Sequence, residues 1–115
     1  MGIKVKCCPP SDGISVTSEV GENSVITIPV GAPGARVHIT QIWAANAPSA
    51  DPGKLLTIES EGGTVLWQEF TETDPFISRY FNSPLRGPIG EDVTITFEGH
   101  PGSTSTLSVT YFISV

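Results

Sequence analysis

The sequence is short of positive charge, of sulfur and of uninterrupted apolar runs. Six Lys and Arg stand against twelve Asp and Glu, for a net charge of −6 and a pI near 4.6. Phosphate backbones attract Lys and Arg, so nucleic acid is not an expected partner. No apolar stretch approaches the ~18 residues of a membrane span, so no membrane partner is expected either. The first ten residues, MGIKVKCCPP, lack the apolar segment and small-residue cleavage site of a secretory signal. Lys6 occupies the place where a myristoylation signal has Ser or Thr. The two cysteines, Cys7 and Cys8, are adjacent, a spacing at which a disulfide forms only with strain, and synthesis in a reducing compartment is expected.

Metal and catalytic signatures are also missing. His38 and His100 are isolated from each other and from Cys7-Cys8, whereas zinc needs clustered ligands at short spacings. Neither histidine lies in a nucleophile motif such as G-x-S-x-G, and Gly31-Ala32-Pro33-Gly34 precedes a strand pattern, unlike a phosphate-binding loop. The acidic groups Glu69-Glu72-Asp74 and Glu91-Asp92 match no calcium-loop spacing. Glu59 and Glu61, two apart on a strand, share a face as a glycosidase pair does, but outward charges that discourage edge pairing are the expected reading. No catalytic residue, metal or cofactor is expected, and the chain reads as a non-enzyme.

What is present is turn chemistry between short alternating runs. The 12 Gly, 10 Pro, 12 Ser and 12 Thr make up two fifths of the 115 residues, and nine aromatics with 38% hydrophobic residues supply one core. Ile3, Val5 and Cys7 alternate with lysines; Ile26, Ile28 and Val30 alternate with polar or turn residues; Val93, Ile95 and Phe97 alternate with Thr94, Thr96 and Glu98. Leu56 and Ile58 lead through Glu61-Gly62-Gly63-Thr64 into 65–70, a hairpin signature. Leu107, Val109, Tyr111 and Ile113 form a last strand after the turn at 100–103. Val37 and Ile39 set a phase that Ile42 and Trp43 break, which predicts a bulge or a strand covered on both faces.

About eight or nine strands separated by Gly/Pro turns predict an all-β, single-domain antiparallel β-sandwich of jelly-roll type. Residues 1–12 read as an amino-terminal arm or edge strand and 13–115 as the sandwich. Three runs are apolar on both faces, Ile42-Trp43, Val65-Leu66-Trp67 and 76–81, and one core covers only one face of each. Trp43, Trp67 and Tyr80 would stack on pyranose rings if exposed; a core or subunit contact is the commoner use of such residues. The proline-stiffened loops 44–53 and 82–90 lose little entropy on binding, and the second offers Leu85, Arg86 and Ile89.

The hairpin 53–60 with Thr64-Val65-Leu66-Trp67, the stretch Pro84-Leu85-Arg86-Gly87-Pro88-Ile89-Gly90-Glu91-Asp92-Val93-Thr94-Ile95-Thr96, and the closing Leu107-Ser108-Val109-Thr110-Tyr111 resemble small β-sandwich virion proteins of tailed bacteriophages. The resemblance covers roughly 24–115 and rests on hairpin and turn patterns. It implies a capsid cement or decoration protein, made in the host cytoplasm and located on the virion surface, a homotrimer that bridges neighbouring major capsid proteins. In that setting Trp43, Trp67, Phe76, Tyr80 and Phe112 are the expected subunit contacts. Leu85, Arg86 and Ile89, with Lys4 and Lys6 of the arm, are the expected capsid contacts. Related sandwiches serve as spike or fibre knobs, so the alternative expectation is a carbohydrate-binding knob that recognises the host surface.

Overall fold

The computed structural model describes residues 12–48, 54–71 and 76–115. These residues form eight strands: β1 Asp12–Thr17, β2 Ser24–Ile28, β3 Arg36–Ala47, β4 Leu55–Ser60, β5 Val65–Phe70, β6 Phe76–Arg86, β7 Val93–Phe97 and β8 Thr104–Ser114. They pair antiparallel in two four-stranded sheets, sheet A with order β1-β8-β3-β6 and sheet B with order β2-β7-β4-β5. Only the β4–β5 link joins neighbours within a sheet; every other link crosses between sheets, which is the winding of a jelly roll. The expected single-domain β-sandwich is therefore what the chain forms.

Alternation builds the interior. Val37, Ile39, Ile42, Ala44, Leu107 and Val109 of sheet A meet Ile26, Ile28, Leu56, Ile58, Ile95 and Phe97 of sheet B, all of them buried. β-branched side chains suit the pleat, and the period of two sends every second one inward. At the β5–β6 side the sandwich is closed by an ion pair between sheets: Arg79 Nε and Nη2 donate to Glu69 Oε1 and Oε2 at 2.9 and 2.5 Å, and Trp67 Nε1 adds a bond to Oε1 at 3.2 Å. At one end, buried Ser105 takes a hydrogen bond from Asn46 Nδ2 on its hydroxyl at 2.8 Å and another from the Ser24 hydroxyl on its carbonyl. These polar groups sit inside the fold because each has a partner.

Three strand boundaries differ from the sequence reading, the first being that residues 44–47, read as the start of a loop, close β3. β1 carries Ile14 and Val16 against the core, although Gly13 and the flanking serines had hidden the alternation. Residues 82–86, read as turn, belong to β6, and the connection to β7 shrinks to 87–92. That connection is fixed to the segment before β3: Gly87 N donates to Val37 O and Gly90 N to Ala35 O, both at 2.8 Å. Gly90 has φ +74°, and a Cβ there would lie 2.9 Å from Pro33 O, so the position requires glycine twice over. The strand expected at 3–7 and residues 1–11 of the expected arm lie outside the described residues, while Asp12, its last residue, begins β1.

Candidate functional site

The outer face of sheet A is built by a bulge. In β3, Val37 and Ile39 point inward, and after Thr40 the inward phase passes to Ile42 and Ala44. The registers shift at this point, Ile39 facing Leu85 but Gln41 facing Tyr80, so that residues 81–84 of β6 stand outside the pairing. A bulge re-aims the side chains that follow it. Without it Trp43 would share the inward phase of Val37; with it Trp43 points outward. Of the two alternatives left by the sequence, a bulge or two covered faces, the bulge is observed.

Outward residues then fall into rows across the sheet. Thr17, Thr106, Ala45 and Phe76 form one row; Ser15, Ser108, Trp43 and Ser78 the next; Gly13, Thr110, Gln41 and Tyr80 the third. Phe76, Trp43 and Tyr80 are 44, 39 and 72% exposed. Diagonal neighbours on adjacent strands lie ~7–8 Å apart, so Trp43 bridges the gap between Phe76 and Tyr80, which are separated by ~13 Å along β6. No ring of this trio stacks on another aromatic among the described residues. On the β1–β8 side, hydroxyls pair across the strands, Ser15 with Ser108 at 2.8 Å and Thr17 with Thr106 at 3.1 Å.

Past the bulge the same face becomes cationic. His38 stands opposite Arg86 on β6 and opposite Phe112 on β8, and Arg36 stands opposite Ser114. The His38 ring stacks on Phe112 with centroids 4.5 Å apart and planes 8° from parallel, and its Nε2 is 3.1 Å from the Ser114 hydroxyl. Burial, then the charges of Arg86 and Arg36, hold the His38 pKa below its ordinary 6.5. The Ser114–His38 pair has the separation of a nucleophile and base, but the two arginines oppose proton uptake by the ring. No carboxylate orients its other nitrogen among the described residues. The contact is a structural one.

The other expected site residues disperse. Trp67, half-buried, points inward and packs edge-on against Phe81, with centroids 5.2 Å apart, so it does not join Trp43 and Tyr80 on the outer face of sheet A. Phe112 is half-buried under His38. Leu85 packs against the core, Arg86 lies on sheet A, and Ile89 is 56% exposed at the tip of 87–92, so the three do not form one patch. Lys4 and Lys6, like Glu72 and Asp74, lie outside the described residues. Glu91 and Asp92 serve the backbone: Glu91 accepts from Gly62 N at 2.8 Å and Asp92 from Val30 N at 2.9 Å. Glu61 likewise accepts from Asp92 N, at 3.3 Å, so it is tied to the loop and not paired with Glu59. His100 is in the turn before β8, nearly the length of that strand from His38, and no three His, Cys, Asp or Glu gather as metal ligands among the described residues.

Reading by motif missed Arg36, His38 and Gln41 as members of one face. A usable signal was present: β3, β6 and β8 contain no Asp or Glu at all, and β1 has only Asp12 at its start, in a chain with twice as many acids as bases. Neither a protein-family model nor a curated protein matches this chain.

Proposed function

We propose that this protein is a carbohydrate-binding module of a phage virion, a knob that recognises glycans of the host surface through the outer face of sheet A. The observation that carries the reading is the alignment of Phe76, Trp43 and Tyr80 on one side of one sheet, exposed and flanked by Gln41, Ser78, Ser108 and Thr110. Pyranose C–H faces pack on electron-rich rings while hydroxyl and amide side chains at the flanks fix orientation. The virion setting rests on the resemblance of 24–115 to small phage sandwich proteins. Probing a glycan array with the full chain tests the reading: retention on a defined subset of glycans, lost in Trp43→Ala and Tyr80→Ala variants that still fold, is expected. A blank array overturns it.

A second reading, a homotrimeric decoration protein bridging major capsid proteins, is favoured by the loop 87–92. Its backbone bonds to Val37 and Ala35 hold Ile89 as a rigid, exposed apolar tip, which suits contact with a protein surface. Copy number in purified virions separates the two: about one chain per capsid subunit supports decoration, and a handful per particle supports a knob.

A further inference from the structure

The cationic end of sheet A's outer face points to the kind of glycan. We infer that this face selects acidic glycans, with Arg36 and Arg86 receiving a sugar carboxylate or sulfate while Tyr80, Trp43 and Phe76 carry the rings. The inference rests on the carbohydrate reading and adds the ligand's charge to it.

Three observations support it. The first is segregation of charge. The chain carries −6 overall, yet the strands of sheet A hold no acidic residue except Asp12 at the start of β1. An approaching anion is repelled by the protein as a whole and meets its most favourable surface here. The second is availability. Arg79 is held by Glu69, the only ion pair among the described residues, whereas Arg36 and Arg86 have no carboxylate partner among those residues. Guanidinium groups grip carboxylate and sulfate oxygens through two parallel N–H donors, and an arginine already engaged elsewhere would not be free to do so.

The third is placement. His38, stacked on Phe112 and bonded to Ser114, stands between Arg36 and Arg86 and fixes the surface from which both extend. On β8, which carries no extra residue, the Tyr80 row at Thr110 is two strand positions from the His38 row at Phe112, about 7 Å at ~3.3 Å per residue. That span is about one sugar ring, so a ring seated on Tyr80 brings the acidic group of its neighbour to Arg86.

Other polyanions and partners fit less well. A nucleic-acid strand needs a track of cations along its backbone, and two arginines on a chain of −6 do not supply one. A second copy meeting this face would have to bury Arg36 and Arg86 where β3, β6 and β8 hold no acidic residue to receive them. The Ser15–Ser108 and Thr17–Thr106 pairs offer none of the aliphatic area on which dry subunit interfaces depend.

The test uses matched probes. Oligogalacturonate and its methyl ester differ only in the carboxylate charge, and a sulfated glycan with its unsulfated parent gives the second source of anion. Titration of the full chain with each is compared with Arg36→Gln and Arg86→Gln variants, whose folding is checked by thermal melting. Expected is at least tenfold tighter binding of one acidic member over its neutral partner, weakened by added salt and abolished as a preference in Arg86→Gln. Residual neutral binding, lost in Tyr80→Ala, should remain. Equal affinity for acidic and neutral partners overturns the inference and leaves the carbohydrate reading standing. No binding to any glycan overturns both. Tighter binding of a single-stranded oligonucleotide than of either glycan would reassign the face to polyanions in general. Self-association lost in Trp43→Ala would reassign it to a second copy.

Discussion

Sheet A turns Trp43, Tyr80 and Phe76 outward among hydroxyls and two arginines that have no carboxylate partner among the described residues. Sheet B turns out threonines, Glu59 and, at the end of β7, Glu98, with Val25, Val65 and Phe70 near its edges. Inside, the two sheets are alike, both lined with Ile, Val and Leu. The interior therefore specifies the sandwich without distinguishing its two exteriors, and what distinguishes them is charge and the position of the aromatic residues. On sheet B the exposed apolar side chains are dispersed, Val25 on β2 and Val65 and Phe70 on β5, strands at opposite edges. Scattered single residues of that kind are ordinary surface. On sheet A the aromatics are contiguous on the paired strands β3 and β6, which is why function is assigned there.

The sharpest way to break the comparison is to put a charge where the inward phase resumes after the bulge. Ile42→Asp leaves an unpaired carboxylate between the two sheets. The cost is comparable to the whole stability of a small domain, ~5–15 kcal/mol, and circular dichroism should report an unfolded chain. The shared interior is tested next: Phe97→Ala on sheet B should cost ~3–5 kcal/mol and Leu107→Ala on sheet A ~2–5 kcal/mol in urea denaturation. Costs that differed by sheet would show that the inner faces are not equivalent.

Smaller effects sharpen the contrast. Gly90→Ala forces a side chain into positive φ and against Pro33 O, for ~1–3 kcal/mol in the same assay. Tyr80→Ser and Phe70→Ser, one on each outer face, should each change stability by no more than ~0.5 kcal/mol, so that any loss of binding in Tyr80→Ser is not a loss of fold.

The smallest effect is a pH dependence. His38 is held below its ordinary 6.5 in the folded chain, so as pH falls the unfolded chain takes up that proton first. The contribution of His38 to stability is thus complete above about pH 6.5 and declines as pH drops through that value toward the lower folded-state pKa. The groups facing the ring, Arg36, Arg86, Phe112 and Ser114, include no acid to reverse the sign. His38→Gln should flatten the slope in thermal melts taken across this range.

Much of this architecture is legible in the sequence because the period of two survives in clean runs. Val93, Ile95 and Phe97, and Leu107 and Val109, alternate without interruption, and Glu61-Gly62-Gly63-Thr64 marks its hairpin. Gly63 takes φ +92° in that turn, a conformation its residue type supplies. The candidate site is legible only in part. Trp43 and Tyr80 stand out as aromatics, but their shared face depends on where the phase slips, and Ile39-Thr40-Gln41-Ile42 shows that a slip occurs without showing which strand absorbs the extra residues. Trp67 reads like Trp43 in the sequence yet points inward, because the regular β4–β5 register sets it opposite buried Ile58, and the register shifts only beyond that pair, between Ile58 and Glu59. Arg36 stands two residues from His38 on β3, but Arg86, 50 positions from Arg36, becomes a neighbour of His38 only through strand pairing. Local pattern carries strands; long-range pairing carries faces.

The central claim, that binding belongs to sheet A and not to sheet B, is tested most directly by one array experiment with three folded proteins. These are the unaltered chain, a Trp43→Ala/Tyr80→Ala variant and a Val65→Thr/Phe70→Ser variant. The account predicts that the sheet B variant keeps the glycan profile of the unaltered chain and that the sheet A variant loses it. Retention by the sheet A variant, or loss by the sheet B variant alone, would contradict it.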